Sequence, residues 1–382
     1  MSLRRDVAIV LSGGGMNGVL MELGFLQRIR DSSFWPRVGW IFGTSAGALA
    51  GTLAAVGRLD DLERFLLELK AEETFRPHRL WQLPLTGLHD YALPGTIEER
   101  LGDRVALARE VAAAPIELVV VATDVTDDAD EDGTNPRELV YSSRETPPDV
   151  FAEAVLASAA ISALVLPLRV GDRIATDGGW VRNFPLGHAY DHAEVEMILA
   201  FRYLPRYPRI GTAGLARVRQ RLERFRRVPP VRALISELER AEERAARGEP
   251  AHLVDMIVRL MRVSILRNNA LEERFADEKD ESIRELGSLR EDVLALVDKH
   301  VRGGRRARLA AAVGERFAAA QFPFRHDRLV PRVTVHASVG EVSLDPGFRS
   351  QAPWTEEAKR KLIRRGYDLA DRELRAWDEA VA

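Results

Sequence analysis

Apolar residues first gather at Val7 to Leu11, five in a row between Asp6 and Ser12, and glycines occupy positions 13–15. A short β-branched run stopped by glycine predicts a buried strand. Directly after it, Val19, Leu23, Leu26 and Ile29 recur at the spacing of a helix with one buried face. Val38 to Phe42 repeats the strand signal, and "AGALAGTLAAVG" (46–57) predicts a small-residue helix ended by Gly57. Two strand–turn–helix units in succession predict an α/β layered fold with parallel strands.

The pattern continues with strands over 116–125 and 137–143, joined by an acidic loop, and a hairpin over 168–179 turning at Gly171-Asp172. A further strand is expected at 195–201. Beyond about residue 204 the texture changes to long Arg/Glu/Ala/Leu-rich stretches, interrupted at Pro229-Pro230 and Gly303-Gly304. That composition predicts helices. A returning strand at 333–339 and a closing helix over 355–377, capped by Thr355, complete the reading. The expected organisation is an α/β core over 5–204, a mainly helical insertion or cap over 205–330, and a strand and helix over 331–382 that complete the core.

Composition removes several function classes. The 382 residues are 46% hydrophobic and 30% charged, which is globular usage with enough chain for a sizeable core. A net charge of −3 gives no global attraction to nucleic acid. With no cysteine there is no disulfide, thiolate metal site or cysteine nucleophile. No apolar run approaches the about 20 residues of a membrane span, nor the apolar stretch of a signal peptide. A soluble cytoplasmic protein is the expectation.

Against this background Gly43-Thr44-Ser45-Ala46-Gly47 stands out. A serine hydroxyl reacts only when a base takes its proton and donors stabilise the resulting oxyanion. A strand running straight into a helix puts the middle residue of G-x-S-x-G on a sharp turn, with glycines making room for neighbouring backbone. The preceding "LSGGGMNG" (11–18) admits three readings: an oxyanion hole, a structural turn, or a dinucleotide site through Gly13, Gly15 and Gly18. The last needs an acidic residue at the end of the next strand, and that strand ends in Phe42-Gly43-Thr44-Ser45. For the base, none of the eight histidines (78, 89, 188, 192, 252, 300, 326 and 336) has a glycine-framed or strand-end setting. Asp177 does, before Gly178 and Gly179, although an Asp-Gly hairpin turn explains the same residues.

Gly13-Gly14-Gly15-x-x-Gly18, Gly43-x-Ser45-x-Gly47 and Asp177-Gly178-Gly179, in that order, resemble the patatin-like phospholipases. The stretch 157–185 leading into and past the aspartate is also similar to that family. The resemblance spans about residues 6–202, with a return at 333–377. It implies a layered α/β/α core with a mostly parallel central sheet, and hydrolysis of lipid acyl esters without a cofactor or metal. By the same implication Ser45 is the nucleophile, Asp177 its base, and Gly13, Gly14 and Gly15 supply the oxyanion donors. The substrate expected is a phospholipid or simpler fatty-acyl ester. Asn17 stands where the family usually has Arg or Lys, and Ser162 where a proline is common. The alternative is a lipid-binding or scaffold protein that keeps the fold without turnover.

Three other stretches complete the picture. Asp128, Asp130, Asp132 and Gly133 sit at calcium-loop offsets, but Leu139 occupies the place of the bidentate glutamate, so a solvated hairpin tip is expected. Residues 202–232 hold ten arginines and one acid, Glu223. With Leu215, Val218, Leu222 and Phe225 on one stripe, they suit either peripheral contact with an anionic membrane or a docked surface helix. "RLWQLPLTGLHDYALPG" (79–95) is read as an irregular apolar loop, with Trp81, Leu83 and Leu85 as acyl contacts or plain packing.

Overall fold

The strand signals of the N-terminal half become the centre of an eight-stranded sheet. The computed structural model describes residues 4–77, 89–127, 137–161, 165–204, 212–249, 253–320, 329–338 and 355–381. Strands β1 (Val7–Leu11) and β2 (Val38–Thr44) pair in parallel, and every residue of both is buried. Burial on both faces explains why they read as continuous apolar runs rather than as alternating ones. On its other edge β1 pairs in parallel with β9 (Met197–Leu204), which in turn pairs with β10 (Arg332–Ser338). β2 pairs in parallel with β5 (Glu117–Asp124). The far edge is antiparallel: β6 (Glu138–Ser142) and β8 (Arg173–Asp177) both pair β5, and β7 (Leu168–Val170) pairs β8.

The chain therefore moves from β1 outward in one direction through β2 and β5, and returns on the other side of β1 as β9 and β10. In such sheets a crevice opens beyond the carboxyl ends of the strands where the order reverses. Both glycine motifs lie at that end, since α1 (Gly15–Arg30) starts after β1 and α2 (Ala46–Ala55) starts after β2.

Helices cover the sheet. α1 packs on the closing helix α12 (Glu356–Val381), where Thr355 Oγ1 accepts from the Ala358 N–H at 3.2 Å. The helices α3 (Leu59–Glu68), α4 (Leu93–Leu101), α5 (Arg104–Ala113) and α6 (Pro148–Ser158) were not read from the sequence. The stretch expected to be irregular over 79–95 instead ends in order: His89–Tyr91 forms β4, paired with β3 (Phe75–Pro77), and Leu93 opens α4 with Pro94 in its first turn. Proline fits there because a first-turn N–H has no helical partner to lose. Trp81, Leu83 and Leu85 lie outside the described residues, as do Asp128, Asp130, Asp132 and Gly133.

After the short α7 (Leu186–Asp191) and β9, the segment beyond residue 204 is helical: α8 (Thr212–Glu223), α9 (Pro229–Ala246), the 48-residue α10 (Leu253–His300) and α11 (Gly304–Ala318). Several of its arginines are paired within the protein. Arg219 meets Glu242 of α9 at 3.0 Å, Arg226 meets Glu239 at 3.7 Å, and Arg202, which belongs to β9, pairs with Glu273 of α10. No described helix is long and apolar enough to cross a membrane.

The crossing of α1 and α12 depends on two glycines. A Cβ on Gly24 would lie 1.9 Å from the Ile363 carbonyl oxygen, and one on Gly366 would lie 2.0 Å from that of Met21. Backbone cannot yield as a flexible side chain can, so the helices would have to part. Gly366→Val is expected to lower stability by at least about 1–3 kcal/mol. It should shift the urea midpoint without changing the slope. Gly314→Ala in α11, where an added Cβ meets nothing within 4 Å, is the contrasting case. It should raise stability by about 0.5–1 kcal/mol.

Candidate active site

Ser45 sits between the last residue of β2 and the first of α2, with φ 55° and ψ −116°. A non-glycine residue there carries backbone strain of about 1–3 kcal/mol, which persists only where surroundings hold it. The holding contacts are visible. The Ser45 N–H donates to Ser158 Oγ at 2.9 Å, and Ser158 Oγ–H donates to the Val121 carbonyl at 2.6 Å, tying the turn to α6 and β5. The flanking glycines let backbone close in. A Cβ on Gly47 would fall 2.6 Å from the Leu11 carbonyl oxygen, and one on Gly43 2.6 Å from that of Gly47.

Asp177 ends β8. Its N–H donates to the Ala160 carbonyl at 3.0 Å, and its own carbonyl accepts from Thr123 Oγ1 at 2.7 Å. The carboxylate accepts from the Gly179 N–H at 2.7 Å, and the Ser45 hydroxyl lies near enough to favour its charged form. The structure therefore brings together a hydroxyl and a carboxylate that are 132 positions apart in the chain (177 − 45). Gly178 is packed under them, where a Cβ would lie 2.3 Å from the Val121 carbonyl oxygen. Both side chains are buried, Ser45 at 6% and Asp177 at 8% exposure. Burial pushes the Asp177 carboxyl up to about 6, with the Ser45 hydroxyl and the Gly179 N–H opposing. Loss of water outweighs both, because a charge in this setting has lost its hydration.

The glycine turn after β1 lies beside the serine: a Cβ on Gly13 would fall 3.2 Å from Ser45 Cβ. Gly14 packs on the ring of Tyr203 and on Gly18, and Gly15 has a left-handed φ of 57°. The three glycines are not equivalent. The Gly13 N–H is committed to the Asn183 carbonyl at 2.8 Å, so of the three donors expected from the sequence it is not free to face a substrate. The N-termini of α1 and α2 both meet this turn, and their partial positive ends favour negative charge there.

Asn183 was missed from the sequence. It is buried at 2% exposure, and its Nδ2 donates to the Gly13 carbonyl at 3.3 Å and to Asn269 Oδ1 at 3.0 Å. Asn269 lies on α10, as do Ser264 and Asn268, which donate to the Trp180 carbonyl at 3.1 and 2.9 Å. Farther along α10, Glu272 accepts from the Gly187 N–H at 2.7 Å and pairs with Arg182. The long helix thus roofs the loop that follows Asp177. Its sequence carries no local mark of this role; Asn183, six residues after Asp177, could have been suspected from position.

An apolar pocket opens at Ser45, Asp177 and the glycine turn, and passes between α2, α3, α4, α5 and α6. Asn17 is at its rim. No histidine lines it among the described residues: His188 is held 2.8 Å from Glu138, and His192 rests on Trp40. The site thus gathers a serine hydroxyl, a buried carboxylate, a glycine turn and an apolar pocket.

Residues 9–190 match the family model for patatin-like phospholipases. They form a patatin-like phospholipase domain. Among curated proteins, the uncharacterized protein R571 of Acanthamoeba polyphaga mimivirus is 25% identical to the chain over 188 residues, 47% of this chain and 59% of that protein. The chain thus spans less than two thirds of that relative's length. Among solved structures, VipD from Legionella pneumophila aligns over 97% of this chain and 67% of its own, at 14% identity and a TM-score of 0.41. ExoU, solved in complex with SpcU from the type III secretion system of Pseudomonas aeruginosa, aligns over 84% and 68%, at 15% identity and a TM-score of 0.27. The patatin-like domain holds β1 to α7, and so Ser45, Asp177 and the glycine turn; α10 and α12 lie beyond it.

The raised Asp177 carboxyl has a consequence for stability. Unfolded, the group titrates near 3.9; folded, near 6. Between these values the folded protein holds a proton that the unfolded chain has released. This group's contribution is therefore most favourable below about pH 4 and is lost as pH rises to about 6, by about 3 kcal/mol. Asp177→Asn removes the titration. In urea denaturation, the variant's stability relative to wild type should increase across that window and leave it the more stable protein above about pH 6. A difference that stays level with pH would refute the burial cost.

Proposed function

We propose that the chain is a lipid acyl hydrolase that cleaves carboxylic esters through Ser45 and Asp177 with an acyl-enzyme intermediate. The observation that carries this reading is the meeting of the Ser45 hydroxyl and a desolvated Asp177 carboxylate at the mouth of an apolar pocket. In the first half-reaction Ser45 Oγ attacks the ester carbonyl carbon and its proton passes to Asp177. The carbonyl oxygen becomes an oxyanion facing the Gly14 and Gly15 N–H groups, and one well-placed donor of this kind contributes about 3–4 kcal/mol. The tetrahedral species collapses, the acyl–oxygen bond breaks, and Asp177 returns its proton to the departing alcohol. In the second half, water attacks the acyl-serine with Asp177 again as base, releasing a fatty acid and restoring the serine. Gly13, Gly18, Gly43, Gly47, Gly178 and Gly179 serve by position rather than by chemistry.

A carboxylate with an ordinary pKa is a weak base; one raised towards 6 is a better acceptor and still ionised at neutral pH. No histidine is required. The arginines of 202–232 carry no part of the reading, since several are paired within the protein.

The test is turnover of a chromogenic fatty-acyl ester. Ser45→Ala should abolish it, and Asp177→Asn should reduce it by about a thousandfold or more. A fluorophosphonate should label wild type on Ser45 and label neither variant efficiently. Wild-type kcat should fall as pH drops through about 6, because protonated Asp177 cannot accept. Equal turnover in wild type and both variants would end this reading, as would loss of activity on replacing a histidine while Asp177→Asn keeps full rate. Stoichiometric lipid retention without labelling of Ser45 would favour the scaffold alternative.

A further inference from the structure

We infer that Arg104 closes the far end of the acyl pocket and sets the length of chain that the resting protein accepts. The inference rests on the ester-hydrolase reading for the identity of the ligand, and on the pocket's geometry for everything else.

Two helices measure the pocket independently. α2 leads away from Ser45, and its residues Leu49 and Leu53 line the channel. Leu53 lies eight positions beyond Ser45, which is about 12 Å along a helix axis. α6 runs towards the serine, since Ser158 at its end bonds the Ser45 N–H, and its lining residues extend back to Phe151 and Ala152. Seven positions from Ser158 to Phe151 give about 10 Å. The agreement places the far end about 10–12 Å from the nucleophile, the reach of an extended acyl chain of about nine or ten carbons.

Arg104 stands at that level. It begins α5, lines the pocket, and holds two ion pairs that bridge the flanking helices. Its Nε is 3.3 Å from Glu98 of α4, and its Nη2 is 3.1 Å from Glu153, the residue next to Ala152 on α6. An arginine stem can cover apolar surface while its head stays at the rim in water. Placed across the seam of α4, α5 and α6, this side chain is a plug held by two carboxylates. Half-exposed ion pairs of this kind contribute little to folding, so the plug can be removed without unfolding the core. A chain longer than the closed pocket must either displace the guanidinium or leave its end in solvent.

The test separates pocket length from catalysis by running two series on the full chain. The first is displacement of a fluorescent fatty-acid analogue by saturated fatty acids of about six to about sixteen carbons. Each buried methylene should tighten binding by about fourfold. Wild type is expected to gain affinity to about ten carbons and then level off. Arg104→Ala should keep gaining to longer chains. Arg104→Met, which keeps an apolar stem in place, should level off as wild type does. A second route through α6, Ala152→Leu, should bring the levelling to shorter chains. The second series is kcat/KM for p-nitrophenyl esters of the same lengths, expected to break at the same carbon.

Unbroken wild-type gain to the longest acid, or an unchanged break in both Arg104→Ala and Ala152→Leu, overturns the gate. A break that moves as described while no ester is hydrolysed leaves the gate standing and removes the hydrolase reading. Ester hydrolysis with no dependence on Arg104 does the reverse.

Discussion

The site depends on backbone approaching backbone more closely than any side chain allows. Gly47 lies against the Leu11 carbonyl at the end of β1, and Gly178 lies against the Val121 carbonyl of β5. These two contacts draw the serine turn and the aspartate turn onto one end of the sheet. With a Cβ at either position, one segment would have to lift, and the Ser45 hydroxyl and the Asp177 carboxylate would move apart. A hydrogen bond weakens steeply once its geometry degrades, so small separations here have large chemical effects. The strained φ of Ser45 belongs to the same constraint: the turn is held from outside by Ser158 and by the packed helix, not by its own preference.

In the proposed mechanism the same closeness lets a carboxylate serve as base. Close packing excludes water from Asp177, and loss of hydration raises its affinity for a proton. An arginine or lysine beside it would cancel that gain by favouring the charged form. The nearby cation, Arg182, is instead directed away, held at 2.6 Å by Glu138 and paired with Glu272. Its carbonyl meanwhile accepts from Thr44 Oγ1 at 2.9 Å, so the loop that positions Asp177 is fastened next to the serine while its charge is used elsewhere. Burial lowers stability and raises basicity through one cause.

What could be read from the sequence was what is local. β1, β2 and the hairpin turning at Gly171 are written in consecutive residues, as are the glycine turn, the serine between its glycines and the Asp-Gly-Gly. What escaped is made by contacts across the chain. Ser158 looks like any small residue in a helix, and its role exists only because α6 ends beneath β2. Asn183 matters because two separate segments, at Gly13 and Asn269, converge on it. Gly13 is expected as a donor to substrate because the family resemblance implies all three glycines; the partner that occupies its N–H, the Asn183 carbonyl, comes from 170 residues away. α5 and α6 carry mixed faces that blur a single-sided pattern, whereas α3, with Leu59, Leu62, Phe65 and Leu66 on one face, was legible and went unread.

α2 shows how one short sequence satisfies both demands. Its small residues face inward: a Cβ on Gly51 would sit 2.8 Å from Leu118 Cδ1 and 3.1 Å from Ile41 Cγ2, so the helix can lie almost on the strands. Its large residues, Leu49 and Leu53, face the pocket. Size is thus sorted around the helix rather than hydrophobicity, and the sequence looks uniformly apolar although its two faces differ in function. The small face fixes Ser45 by letting the helix N-terminus reach the sheet end, while the large face lines the apolar pocket beside that serine. Enlarging the small face would lift the helix and shift Ser45; trimming the large face would widen the pocket and leave Ser45 where it is. Under the proposed function, position of the reacting atom and selection of the chain that reaches it are therefore separable along this helix, one governed by glycine and alanine, the other by leucine.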